Sequence, residues 1–276
     1  MLLSPGAAFA DKGYVRGENI VSAPYDFRYS PLSNKDDYMK ATMALVEDLY
    51  ARSGGKKVLW ISHSMGGLWS HYILSRADKS WKDKYLEAWV PIAPAYGGTV
   101  SQFRLFASGN NEGVPWVSDD TVREEQRMSE SNFWLLPSLD LWDDKEVLLK
   151  TPTRSYTSHD VADFFNDIDF PVANQIHKGL IDNDIYGLQD PDIKTFVRYG
   201  VNVDTAISYE YKKEGEWDSG WKQINGDGDG TVNTRSLEAA ITMGWANSDH
   251  KSFNETHTSI LKNDDVIAEL LDFAKA

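Results

Sequence analysis

The chain has 276 residues, 42 acidic against 28 basic, a formal net charge of −14 and no cysteine. Such an acidic balance leaves no basic stripe for nucleic acid and repels anionic lipid or phosphate backbones, so a nucleic-acid partner is not expected. Disulfides, thiolate chemistry and cysteine-based zinc sites are excluded outright, while the compartment stays open.

At this length one sizeable core is affordable, and 41% hydrophobic with 25% charged residues is ordinary globular composition. No apolar run approaches the roughly 18 residues needed to span a bilayer. Aromatic residues make up 12%, with 10 Trp; a well-filled core or a lipid-handling surface would use them. The N-terminus, MLLSPGAAFADKGY, is short and lacks the basic region of a secretory leader, although Ala8-Phe9-Ala10 mimics a cleavage site. Asn254-Glu255-Thr256 is a glycosylation sequon, which matters only in a secreted chain.

In chain order, a first strand is predicted near residues 19–22, running into Ala23-Pro24-Tyr25-Asp26-Phe27-Arg28, where Pro24 forces its neighbour to extend. A helix follows over about 35–53. Tyr38, Thr42, Leu45, Val46 and Leu49 share one of its faces, and Gly54-Gly55 ends it. The apolar run Val58-Leu59-Trp60-Ile61 then reads as a buried strand. A tight turn of small residues comes next, Ser62-His63-Ser64-Met65-Gly66-Gly67, and Leu68, Trp69, Tyr72 and Ile73 recur at helical spacing. Another strand is predicted over 85–92, broken by Pro91 and ended at Pro94. Strands alternating with helices imply a parallel sheet covered on both faces.

From about residue 97 to 190 no clean period is visible. Trp, Pro and acidic residues are frequent, and GVPWV at 113–117 and FWLLP at 133–137 are the apolar spots. A structureless loop of that length is improbable inside a compact domain, so the stretch reads as a cap or lid inserted into one α/β domain spanning 1–276, with a helical part at 121–128. The sheet resumes at 195–200, and a hairpin over 206–211 and 217–223 turns through Lys213-Glu214-Gly215. The last helix starts at Asn263, a good cap, with Asp264 and Asp265 at its positive end and Val266, Ile267, Leu270, Leu271 and Phe273 apolar.

Strand, sharp turn and helix with Ser64 at the apex is the context of a G-x-S-x-G nucleophile turn, with Ser62 standing where the first Gly is usual. Small neighbours let the backbone turn, and the following helix aims N–H groups at the spot where an oxyanion would form; the Met65 N–H is the predictable donor. A serine hydroxyl needs a base to take its proton and a carboxylate to orient that base. In this fold class the acid follows a late strand and the histidine precedes the last helix.

The acid candidate lies in Asn225-Gly226-Asp227-Gly228-Asp229-Gly230-Thr231-Val232. The rival reading is a calcium loop, but its twelfth position is Ser236 where a bidentate Glu is required, and no metal or cofactor is expected. Asp229 is the acid and Asp227 the fallback, better suited to shaping the turn. Six histidines compete for the base. His63 should point away from Ser64; His71, His159 and His177 read as core or surface residues. His257, a few residues before the final helix, stands where the base belongs, with His250 second.

With these pieces placed, the chain resembles the lecithin:cholesterol acyltransferase family, including its lysosomal phospholipase A relatives. The resemblance rests on Gly13-Tyr14-Val15-Arg16, the APYDFR stretch at 23–28, SHSMG at 62–66, Trp81-Lys82-Asp83 and APAYGG at 93–98. ASGNNEGVP at 107–115, EEQR at 124–127, DGDGTV at 227–232 and Thr234-Arg235-Ser236 extend it. It implies an α/β-hydrolase, with Ser64, Asp229 and His257 as nucleophile, acid and base. It also implies a glycerophospholipid substrate whose acyl group passes to Ser64 and then to water or a lipid alcohol. A membrane or lipoprotein surface is the implied partner. The family's location is secreted, lysosomal or endomembrane, but its paired cysteines are absent here.

Family members also carry a long N-terminal portion with early strands, a membrane-binding subdomain, a lid and a second oxyanion N–H, all expected to be missing. Pro5-Gly6 stands in the wrong place to replace that loop. Losing one oxyanion donor costs roughly 3 kcal/mol, a factor of about 100 to 1,000 in rate. The alternative expectation is therefore a catalytically impaired lipid-binding or interaction remnant.

Overall fold

The computed structural model describes residues 5–111, 113–218 and 220–275. Its first element is helix α1 (Pro5–Asp11). Pro5 and Gly6 thus belong to a helix, and α1 packs against the last helix, where the Tyr14 hydroxyl donates to the Ala274 carbonyl at 3.1 Å. No strand forms at 19–22. Gly17 N–H bonds back to the Ile20 carbonyl at 2.9 Å, closing a tight turn with Gly17 at φ 83°. Among the described residues Ile20 pairs in an isolated bridge with Arg16 and packs directly onto the core.

Helix α2 (Pro31–Arg52) starts at Ser30, whose hydroxyl accepts from Leu32 N–H, and it buries Thr42, Val46 and Leu49. Strand β1 (Val58–His63), helix α3 (Met65–Arg76), short helix α4 (Lys79–Tyr85) and strand β2 (Leu86–Ile92) follow. Strand β2 is buried almost throughout, as a central strand covered on both faces must be. It runs through Pro91 instead of breaking there. The missing N–H is tolerated because the ladder to the next strand is interrupted between the pairs Trp89–Thr195 and Ile92–Arg198.

Among the described residues of 97–190 there are five helices, α5 (Ser101–Ser108), α6 (Asp119–Met128), α7 (Glu130–Trp134), α8 (Val161–Asp167) and α9 (Ala173–Asp182). Two short strands, β3 (Leu149–Lys150) and β4 (Ser155–Tyr156), separate α7 from α8. Phe133 and Trp134 are core residues, with Phe133 against Phe106 and Trp134 edge-on to Trp69. Trp116, by contrast, is 85% exposed.

Strand β5 (Thr195–Gly200) returns to the main sheet. Strands β6 (Thr205–Tyr211) and β7 (Trp221–Gly226) form the antiparallel hairpin, but Trp217 lies in its connection, held by ring contact with Tyr211. The hairpin does not extend the main sheet. It joins β3 and β4 in a second sheet of order β4-β3-β6-β7, because Leu149 and Lys150 pair with Tyr209 and Glu210. Short helices α10 (Thr234–Leu237) and α11 (Ala239–Thr242) precede strand β8 (Ser248–Phe253). Helix α12 (Asp264–Phe273) closes the chain, capped by the Asn263 side chain, which accepts from the Asp265 and Val266 N–H groups.

The main sheet is all parallel, in the order β1-β2-β5-β8. Its carboxyl ends lie together, which is where open α/β sheets place their ligands.

Candidate functional site

Ser64 sits between the end of β1 and the start of α3 at φ 53°, ψ −129°. A non-glycine residue held there is strained, so the surroundings must over-determine it. They do so from both sides of the turn. The Trp89 indole N–H donates to Ser62 Oγ at 3.0 Å, so the serine that replaces the usual glycine is a clamp between β1 and β2. The Trp60 indole donates to Ser70 Oγ at 2.8 Å, and Ser70 donates to the Gly66 carbonyl at 2.7 Å. Ser64 N–H bonds to the Ile92 carbonyl at 3.0 Å. Gly67 permits the close approach of the next crossover, since a Cβ there would stand 2.9 Å from that of Pro94.

Asp229 and His257 arrive from the carboxyl ends of other strands. Asp229 reaches the site through a parallel bridge to Val203, three residues past β5, and His257 follows β8 by four residues. Both loops cross over the end of β5 at Gly200, where a Cβ would overlap the Glu255 carbonyl oxygen and press on the Asp229 side chain. Gly200 carries no local signal of this role, because the crowding comes from residues 29 and 55 positions away.

The three side chains form one hydrogen-bonded line. His257 Nε2 lies 2.7 Å from Ser64 Oγ, and His257 Nδ1 lies 2.7 Å from Asp229 Oδ2. The other carboxylate oxygen of Asp229 accepts from Thr231 N–H at 3.0 Å and Val232 N–H at 2.8 Å. Asp229 is fully buried, His257 is 8% exposed and Ser64 is half-buried, so the line opens toward solvent at the hydroxyl. A carboxylate only accepts, so His257 carries its proton on Nδ1. Nε2 is left to accept from the Ser64 hydroxyl. Met65 is the first residue of α3, so its N–H has no acceptor within the helix, and it lies beside Ser64.

Asp227 does not join this line. Its carboxylate accepts from Asn202 N–H at 2.6 Å and the Thr234 hydroxyl at 2.7 Å, which shapes the turn that presents Asp229. His250 stays inside β8 opposite Val197, with Nε2 on Ser248 Oγ at 2.8 Å. His71 is buried, stacked on Trp245, and donates to the Gln189 carbonyl at 2.7 Å; burial pushes its pKa down to about 4. His177 packs edge-on to Phe165 and Tyr186, and burial likewise lowers it to about 4. His159 lies in the loop before α8, its N–H on Thr157 Oγ1 at 3.1 Å. His63 reaches the backbone of His257, where Nε2 lies 2.8 Å from the carbonyl oxygen.

The family profile described as lecithin:cholesterol acyltransferase matches residues 7–189. Among curated relatives, lecithin-cholesterol acyltransferase-like 1 of Arabidopsis thaliana is 38% identical over 266 residues, 94% of this chain and 61% of that protein. The lysosomal phospholipase A and acyltransferase of Rattus norvegicus is 38% identical over 228 residues, 82% of this chain and 53% of that protein. The phosphatidylcholine-sterol acyltransferase of Rattus norvegicus is 36% identical over 229 residues, 83% and 51% respectively. The chain thus spans about half to three fifths of the length of these relatives.

A solved chain of the Tle4–Tli4 complex superposes with a TM-score of 0.59 over 92% of this chain and 68% of that one. At 13% identity that likeness concerns the fold alone, and with the parallel sheet and flanking helices it makes the architecture an α/β-hydrolase. By the extent of the profile match and the level of these identities, the chain belongs to the lecithin:cholesterol acyltransferase family.

Proposed function

We propose that this chain carries a serine-dependent acyl-transfer site for glycerophospholipid esters, with Ser64 as nucleophile, His257 as base and Asp229 as the acid that orients it. The observation that carries the reading is the continuous hydrogen-bonded line from Asp229 through His257 to a serine held in a strained turn. Ser64 Oγ attacks the acyl carbonyl as its proton moves to His257 Nε2, and the negative charge develops beside the Met65 N–H. His257 then gives that proton to the departing lysophospholipid oxygen, leaving the acyl group on Ser64. In the second half, water or a lipid alcohol gives its proton to His257 and attacks the acyl-serine, and the proton returns to Ser64 as the ester breaks. The named activities of the phospholipase A and acyltransferase relatives support the lipid class of substrate.

Residues 97–190 serve in this reading as a cap over one α/β domain, and its exposed Trp116 meets the lipid surface. With a net charge of −14, a zwitterionic surface suits the chain better than an anionic one. A fluorophosphonate probe tests the nucleophile: the folded wild type takes the label and turns over phospholipid, and Ser64→Ala abolishes both. A folded wild type that stays unlabelled rules the reading out.

A further inference from the structure

We infer that His63 is a positioning residue, whose imidazole N–H holds the main-chain carbonyl of His257 and thereby sets the base against the nucleophile. The inference rests on the acyl-transfer reading above.

His257 sits in a loop between β8 and a short 3-10 turn (Ser259–Lys262), and its neighbours Asn254, Thr256 and Thr258 are exposed. Hydrogen bonds among Glu255, Thr256, Ser259 and Asn263 shape this loop, and Asn254 is held by Asn202, but none of these touches His257 itself. Two main-chain bonds fix His257 directly. The His257 N–H donates to the Asp229 carbonyl at 2.8 Å, and the His257 carbonyl accepts from His63 Nε2 at 2.8 Å. With the two side-chain contacts, every polar group of His257 is engaged.

Because His63 is bonded directly to Ser64, its contact closes a ring from Ser64 to His63, across to His257, and back to the Ser64 hydroxyl. The base is therefore referenced to the strained turn itself, not only to the distant acid loop. If the carbonyl is released, the peptide after His257 can rotate and carry Nε2 off line.

The chemistry of the contact also explains why an imidazole serves. A carbonyl cannot donate, so His63 must carry its hydrogen on Nε2. The two rings lie 4.9 Å apart, tilted by 42°. A permanent cation at position 63 would oppose the imidazolium that forms on His257 when it takes the serine proton. Burial is the largest influence on the His63 pKa and lowers it; the bond to the His257 carbonyl and the charge of Asp229 raise it, and the charge of His257 lowers it. Its neighbour Ser62 faces Trp89 instead and contributes nothing to this contact.

Two variants of the full chain test the assignment, each assayed for p-nitrophenyl ester turnover, fluorophosphonate labelling rate and urea midpoint. His63→Leu removes the donor and should lower kcat and the labelling rate by about 10- to 100-fold with KM nearly unchanged, the cost of an ångström-scale misplacement. His63→Gln offers an amide N–H at similar reach and should recover kcat to within about 3-fold of wild type. The assignment is overturned if His63→Leu keeps wild-type kcat, if the loss lies in KM, or if Gln is as impaired as Leu. Should the leucine variant fail to fold, His63→Gln decides alone, near-wild-type kcat supporting the role and a loss beyond about 10-fold refuting it. Turnover abolished by Ser64→Ala but untouched at position 63 removes only this inference. Turnover that survives Ser64→Ala removes the acyl-transfer reading beneath it.

Discussion

Asp229→Asn is the most demanding test of the proposed chemistry, because the structure dictates how the new side chain must sit. One oxygen of Asp229 accepts two backbone N–H groups, from Thr231 and Val232, in a fully buried position. An asparagine that turned its NH2 toward them would set donor against donor, at about 1–3 kcal/mol for each buried group left unpaired. The amide oxygen therefore keeps that place, and the NH2 faces His257 Nδ1. Nδ1 must then accept, so its hydrogen moves to Nε2, which points at the Ser64 hydroxyl and can no longer take its proton. A wrong-tautomer substitution of this kind costs about 10,000-fold in kcat, or roughly 5.5 kcal/mol. The two backbone bonds survive, so the urea midpoint should stay close to wild type. Steady-state ester turnover and the fluorophosphonate labelling rate measure the loss. Activity within about tenfold of wild type in a folded Asp229→Asn variant would refute the assigned roles.

Two further outcomes follow from other parts of the molecule. Trp116→Ala should weaken binding to phosphatidylcholine vesicles at every salt concentration while leaving turnover of a water-soluble ester intact, because its ring is 85% exposed; unchanged vesicle binding would remove Trp116 from the lipid contact. His71, held near a pKa of about 4 against an ordinary 6.5 by burial, stays neutral in the fold, whereas the unfolded chain takes up that proton as pH falls below 6.5. Its contribution is thus intact above pH 6.5 and lost as pH falls toward about 4, with His177 adding in the same direction. Urea midpoints should fall over that window and the His71 ring should remain neutral by NMR at about pH 5. A His71 that titrates near 6.5 in the folded protein would sink this account.

Elements with strong local patterns are legible without coordinates. Helix α2, strands β1 and β5, and α12 with its Asn263 cap all carry an apolar run, periodicity or capping chemistry in a short window, although β1, expected to be buried, is a half-buried edge strand with Ile61 exposed. Strand β8 is not legible: Ser248-Asp249-His250-Lys251-Ser252-Phe253 is an edge strand with no buried side chain and only Phe253 apolar, so apolar content does not mark it. The run at 19–22 misleads for the opposite reason, since its β-branched residues close a turn. Strands β3 and β4 have two residues each, too few to show a period; they pair with each other, and β3 joins the distant hairpin through β6.

For the candidate site the division is similar. The sequence by itself determines a serine at a strand-turn-helix junction, followed in order by an acidic Gly-rich turn and a histidine ahead of a well-capped last helix. These are local chemistry and chain order. Tertiary structure decides the rest. It separates Asp229, aimed at His257, from Asp227 two residues earlier, which is taken up by Asn202 and Thr234. It also turns Ser62 into a clamp for Trp89, makes Gly200 the crossing point of two loops, and brings His63 onto a carbonyl 194 residues along the chain. Such roles depend on groups brought together across the sheet, and no window of neighbouring residues contains both partners.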